Sequence, residues 1–301
     1  MSIAFCSRTT PSSPTGRAML LGLLGVAMFS LTMPMTRIAV AELDPMFVTF
    51  GRALGAAMLA AAWLAWKRAP LPPRTALPAL AAVAAGCIIG FPLLTSIALR
   101  SLPAAHSALL IGVLPLATAL YTALRGHERP SRGFWVMAAL GTVLMMAFAV
   151  VQGGGALQAA DLMLFGAVAC AAVGYAEGGR LSRSLGGPEV ICWALLLSAP
   201  AALALLLWKG LPSAAGVGLP AWLSFAYVTT FSMFIGFFFW YRGLALGGVA
   251  RVGQVQLLQP FLSLLGAALL LGEALTFGNC VFALLVAAVV FAGRRMAVRQ
   301  Q

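Results

Sequence analysis

Acidic side chains and histidines are nearly missing from this sequence. Seven Asp and Glu and two His among 301 residues leave too few groups for the nucleophile, base and orienter of a hydrolase or for a metal cluster, so no enzyme is expected. Cysteine is sparse as well. Cys6, Cys87, Cys170, Cys192 and Cys280 form no CxxC pair, and four of them lie in apolar segments where a thiol acts as a small hydrophobe. Neither a disulfide framework, a metal site nor a cofactor site is indicated. Charge of either sign is confined to 9% of positions against 62% hydrophobic residues, with a mean hydropathy of +0.99. That is too little polar surface to coat a soluble globule of this length. Period-two alternation is lacking too, which argues against a membrane β-barrel. The net charge of +12 does not indicate nucleic acid, because the basic residues are scattered between apolar runs and form no face interleaved with aromatics.

What the chain does have is a succession of apolar runs. A bilayer-spanning helix needs about 20 such residues, and ten runs come close enough: 18–41, 46–66, 77–98, 104–124, 133–151, 162–179, 190–208, 220–241, 249–271 and 277–293. They are continuous and rich in Ala and Leu, so the expected fold class is an all-α integral membrane protein with ten transmembrane helices. With a cytoplasmic N-terminus, the inside segments hold 15 of the basic residues and the outside loops only Arg100 and Lys209, with Arg37 and Arg52 left within the membrane. This positive-inside bias places both termini in the cytoplasm of a multi-pass inner-membrane protein. The Ser-, Thr- and Pro-rich start reads as a short disordered tail before an uncleaved first helix.

The chain also repeats itself. Pro115, Glu128 and Gly133 recur as Pro260, Glu273 and Gly278, each 145 positions on, and Arg37 and Pro45 recur as Arg180 and Pro188, 143 positions on. A repeat unit of five spans is odd in number, so the second copy enters the bilayer from the opposite side, the inverted-repeat plan of secondary transporters. The expected organisation is a cytoplasmic tail over 1–17, a first repeat over 18–151, an outer hinge loop over 152–160, a second repeat over 161–293 and a basic cytoplasmic tail over 294–301.

Several stretches resemble the EamA family of the drug/metabolite transporter superfamily. Trp240-Tyr241-Arg242-Gly243-Leu244-Ala245-Leu246, then Ala250-Arg251, Gln259-Pro260 and Leu271-Gly272-Glu273-Ala274-Leu275 follow the order of that family's eighth helix, ninth helix and Gly-Glu turn. A weaker copy runs from Ala98 to Ala105 and on to Pro115 and Glu128, and Arg52 sits where the family commonly carries an arginine. Two departures stand out. His127 interrupts the Gly-Glu pair in Gly126-His127-Glu128, and Phe29 stands near a position where many members carry tryptophan. The resemblance implies two inverted five-helix repeats around a central cavity, with helices five and ten more peripheral. It also implies carriage of a small organic solute, often outward, with amino acids and related metabolites as recurrent cargoes.

Polar groups in hydrocarbon are costly unless paired or facing water, so those within spans are the candidate site residues. Gln256 and Gln259 share a helix face with Pro260 and Ser263 and could line a solute path or bond between helices. Pro115 and Pro260 sit near mid-helix, where the missing N–H and the ring free carbonyls for a ligand or a bend. Glu177 is a candidate proton carrier, or the partner of Arg180 three residues on. Arg37, Arg52 and His106 map to the outer third of the membrane as an outer gate or as interfacial anchors. Tyr175 and Thr230 could contact cargo, Trp240 and Tyr241 fit an interfacial belt, and Glu128 and Glu273 read as turn or gate elements. The function expected is export of a small neutral or zwitterionic metabolite, such as an amino acid, by alternating access. The alternatives are a facilitative carrier or channel for an organic anion, and a non-transporting scaffold. Partners are the solute and membrane lipid, with monomer and homodimer both open.

Overall fold

The computed structural model describes residues 14–125, 129–152, 156–210, 216–247, 252–295 and 298–299. Almost all of them are helical. Seven helical segments are long and apolar enough to cross a membrane: α1 (Gly16–Glu42), α2 (Pro45–Lys67), α3 (Arg74–Ala98), α4 (Ala104–Arg125), α6 (Ala159–Leu185), α7 (Gly187–Lys209) and α8 (Leu219–Gly247). Between and after them lie α5 (Arg132–Gln152), α9 (Val255–Leu271) and α10 (Phe277–Arg295), whose apolar stretches are shorter. A two-residue antiparallel ladder, β1 (Arg129–Pro130) with β2 (Val298–Arg299), ties the α4–α5 connection to the chain after α10.

Local chemistry sets the helix ends and breaks. At the start of α2, Asp44 Oδ1 accepts from the amides of Met46 at 2.9 Å and Phe47 at 3.4 Å, and Pro45 occupies the first turn, a site where its missing N–H costs nothing. The helix ends on Arg68 in the left-handed conformation, with φ 49°. α1 breaks at Leu31, where Pro34 cannot donate to the carbonyl four residues earlier. That carbonyl, of Ser30, accepts instead from Ser263 Oγ of α9 at 2.7 Å. α3 and α8 each contain a π-helical stretch, Ala84–Gly90 and Val228–Ile235, a widened turn that is frequent at functional sites. α4 is interrupted at Gly112–Val113 just before Pro115, and α9 changes from a 3-10 turn over Gly253–Leu258 to α-helix at Gln259–Leu271, around Pro260.

The segments pack in a fixed set of pairs: α1 on α8, α2 on α7, α3 and α4 on α6, α9 on α1 and α4, and α5 on α10. Small residues permit the closest approaches. A Cβ on Gly174 would lie 2.3 Å from Cys87 Sγ, and one on Gly86 2.3 Å from the Cys170 carbonyl, so α3 and α6 meet nearly backbone to backbone. Outside the bundle the surface is apolar: Met58, Trp66, Leu71, Leu207, Trp208, Leu269 and Phe277 are all exposed. Inside it, Arg52, His106, Asp161, Glu177 and Gln256 are buried. Apolar side chains outward and polar ones inward is the arrangement of a multi-pass protein with lipid as its solvent.

Three expectations need correction. The first helix already runs through residues 14–17, which the sequence reading assigned to the tail; residues 1–13 lie outside the described residues. α6 extends to Ala159 and Leu185, beyond the apolar run 162–179. Trp240 and Tyr241 are not at an interface but fully buried, because α8 continues past the exposed Arg242 to Gly247. Trp240 packs on Phe29 and Tyr175, and Tyr241 donates to the Gly174 carbonyl at 3.0 Å.

Candidate functional site

The breaks in α1, α3, α4, α8 and α9 meet in the middle of the bundle and leave a narrow cavity. Phe29, Thr32 and Met33 of α1 line it with Arg52 of α2, Cys87 and Phe91 of α3, and Leu114 of α4. The far wall is Ala171 and Tyr175 of α6, Ser232, Met233 and Phe237 of α8, and Gln259 of α9. A second space continues between α4 and α9, lined by Pro115, Gln256, Pro260 and Ser263 among others, and shares Met33, Leu114 and Gln259 with the first. The two spaces adjoin through these shared residues, between helix breaks at the centre of the bundle.

The wall is mainly apolar, with a few aimed polar groups. Thr32 Oγ1 and Ser232 Oγ are 2.8 Å apart across the α1–α8 contact. Phe29, Tyr175 and Phe237 form an aromatic cluster, with Phe29 and Phe237 centroids 5.0 Å apart, Tyr175 and Phe237 6.0 Å, and Phe29 and Tyr175 6.3 Å. The Arg52 side chain is 2% exposed, and among the described residues its Nε and Nη1 have no hydrogen-bond acceptor. Gln256 Nε2 is likewise buried without an acceptor among them.

Arg52, Tyr175, Gln256, Gln259, Pro115 and Pro260 thus converge on the cavity, and the other sequence candidates lie elsewhere. Thr230 is half-buried and outside the lining, because the π-helical turn brings Ser232 and Met233 inward instead. Arg37 donates to the Leu99 carbonyl at the end of α3. His106 Nε2 lies 2.7 Å from Asp161 Oδ1, with the imidazole stacked on Phe148. Arg37, Arg52 and His106 therefore form no joint cluster.

Asp161 is a residue that sequence reasoning missed. It was counted outside the sixth span, yet it is the third residue of α6, fully buried, and it accepts from the Gln158 amide at 3.0 Å as well as facing His106. Its signal was the Gln158–Asp161 spacing of a capping box. Thr32 and Cys87 were missed as well; of the hydroxyls Thr229, Thr230 and Ser232, which the sequence offers alike as cargo contacts or as back-bonds to their own helix, Ser232 lines the cavity. Among the described residues no three His, Cys, Asp or Glu side chains converge.

The ends of the bundle carry the remaining polar contacts. At the Ala104 end of α4, Glu273 accepts from the amides of Ala104 at 2.8 Å and Ala105 at 2.7 Å, capping that helix from the far half of the chain. Glu42 at the end of α1 accepts from the Gly218 amide at the start of α8, a second carboxylate contact between distant parts of the chain. At the Arg125 end of α4, Glu177 binds Arg180 Nη2 at 2.8 Å, Tyr121 Oη at 3.1 Å and Arg125 Nε at 3.4 Å. Glu128 lies outside the described residues.

A lipid-faced helical bundle with a polar-dotted cavity at its centre is the architecture of a membrane transporter. The model of the EamA-like transporter family matches the chain twice, over residues 16–151 and 158–292. The uncharacterized transporter YdeK of Bacillus subtilis (strain 168) is 47% identical over 276 residues, covering 92% of this chain and 96% of that protein. The chain belongs to the EamA-like transporter family. Its fold also resembles a protein of known crystal structure, with a TM-score of 0.60 and 22% identity across 92% of this chain and 94% of the other.

Proposed function

We propose that the protein is a secondary transporter of the cytoplasmic membrane that exports a small organic solute through the central cavity, with two inverted five-helix repeats rocking about it. The observation that carries this reading is that both halves build the cavity jointly, in pairs of positions at the repeat spacing. Thr32 and Tyr175 are 143 residues apart, while Cys87 and Ser232, like Leu114 and Gln259, are 145 apart, and all six line it. The two π-helical stretches keep the same spacing, starting 144 and ending 145 residues apart. The packing obeys the exchange as well. α1 on α8 becomes α6 on α3 when the halves are swapped, and α2 on α7 and α5 on α10 map onto themselves. The double match to one family supports the duplication. Ten spans result when α5, α9 and α10 cross the bilayer beside the seven longer helices.

Orientation follows from which groups share an end. Arg125, Glu177, Arg180 and the ladder joining Arg129 to Arg299 gather at the end we assign to the cytoplasm, and Glu42, Glu273 and the His106–Asp161 pair gather at the opposite, outer end. We read Glu273 as a turn element that locks α4, and Glu177 as an inner latch that ties α6 to α4 instead of a proton carrier. Saturable counterflow in proteoliposomes loaded with a panel of amino acids and their deaminated acids tests the reading. Stimulated exchange of at least one solute is expected, and none for any of them contradicts it.

A further inference from the structure

Among the described residues, the charged groups drawn into the bundle are settled by contacts within the chain, with one exception. Glu177 holds two arginines, Asp161 faces His106, Glu273 takes two backbone amides and Arg37 bonds the Leu99 carbonyl. Arg52 is as buried as any of them, lines the cavity, and has no acceptor among the described residues. A guanidinium stays ionised in a protein, and burying its charge without a partner is strongly unfavourable. The scaffold does not need it there. The position 143 residues on, which corresponds to Arg52 by the spacing of Arg37 to Arg180 and Pro45 to Pro188, is Leu195, buried in α7.

Resting on the carrier reading above, we propose that Arg52 is the recognition group for an anion and that the solute is a monocarboxylate with an apolar or aromatic body, carried with net negative charge. The planar guanidinium fork matches the two oxygens of a carboxylate, and the Thr32–Ser232 hydroxyl pair in the lining, one donating to the other, leaves one O–H free to donate. Phe29, Tyr175 and Phe237 present an apolar face for the body of the solute. The balance of charge decides against a zwitterion. Among the described residues neither part of the cavity is lined by Asp or Glu, so a carboxylate neutralises Arg52 while an α-ammonium beside it would face a guanidinium and find no counter-charge. The neutral or zwitterionic cargo expected from the charge-poor sequence therefore gives way to the anion.

The test uses the purified full-length protein with two skeletons in three charge forms. The probes are 3-phenylpropionate and 4-methylpentanoate, the corresponding amino acids phenylalanine and leucine, and the primary amides of the two acids. Thermal denaturation measures binding and counterflow measures transport. At least one of the two acids is expected to raise the melting temperature and exchange, its amino acid and amide to do neither comparably, and Arg52→Gln to weaken acid binding by about a hundredfold, the scale of losing one partner of a buried charged hydrogen bond. Arg52→Leu, which copies Leu195, is expected to melt higher than the native chain without ligand and to show no stabilisation by the acid. A purely structural arginine would give the opposite shift. Amino acids or amides binding as well as the acids, acid binding that survives Arg52→Leu, or no carboxylate-dependent stabilisation at all would overturn the assignment. Counterflow of an amino acid or amide alone would do so while leaving the carrier reading intact.

Discussion

Individual residues in this protein show how a membrane helix with a defect is repaired. Pro34 removes one amide from the ladder of α1, and the carbonyl it strands, that of Ser30, is taken by the hydroxyl of Ser263. Ser263→Ala leaves that buried carbonyl without its partner, so a loss of about 1–3 kcal/mol is expected, read as a lowered melting temperature with helix content retained by circular dichroism. Glu177 carries a different consequence. Its oxygens are engaged by Tyr121, Arg125 and Arg180, so in the latch reading its proton plays no part in transport. Glu177→Gln should lower the transport rate or shift the balance of inward- and outward-facing forms, and leave the shape of the pH profile as it was. A profile that flattens would return Glu177 to proton coupling.

At the scale of elements, the sequence pattern located the seven long apolar helices to within six residues at each end but not the irregularities that make the cavity. Pro115 and Pro260 marked the breaks in α4 and α9, and the Gln256–Gln259 spacing marked a shared face, because proline and polar residues leave a signal in composition. The π-helical turns of α3 and α8 leave none. They change the hydrogen-bond pattern without changing hydropathy, so nothing in the sequence separates Ser232 from Thr230 as the hydroxyl that lines the cavity. For the same reason Trp240 and Tyr241 seemed to lie at the membrane interface: the apolar run stops at Arg242, but the helix does not. Asp161 was lost to a start of α6 earlier than hydropathy indicates. The small-residue contacts were visible as Gly86, Gly90, Gly174 and Gly178, and their geometry makes a sharp prediction. Gly174→Leu would drive a side chain into Cys87 and the backbone of α3, and is expected to abolish assembly of monodisperse protein, whereas Leu at Gly210, which has open space around it but φ 84°, should cost only backbone strain of about 1–3 kcal/mol. Size-exclusion profiles of the two variants compare these outcomes.

At the scale of the whole molecule, the two stretches that match the family model both line the cavity, with carboxylate contacts joining them at either end: Glu42 and Glu273 at one, Glu177 at the other. Such an arrangement suits a protein that must open one end while closing the other, since each set of contacts can break without disturbing the helices that carry it. The central claim is that the cavity is the solute path and that it is reached from both sides of the membrane. Ser232→Cys, placed in a chain whose five native cysteines are replaced, tests it most directly. In right-side-out and inverted vesicles, a membrane-impermeant maleimide should modify this cysteine from each side, and a saturating concentration of an exchanging solute should slow the reaction from both. Modification from one side alone under every condition, or from neither, would contradict the account.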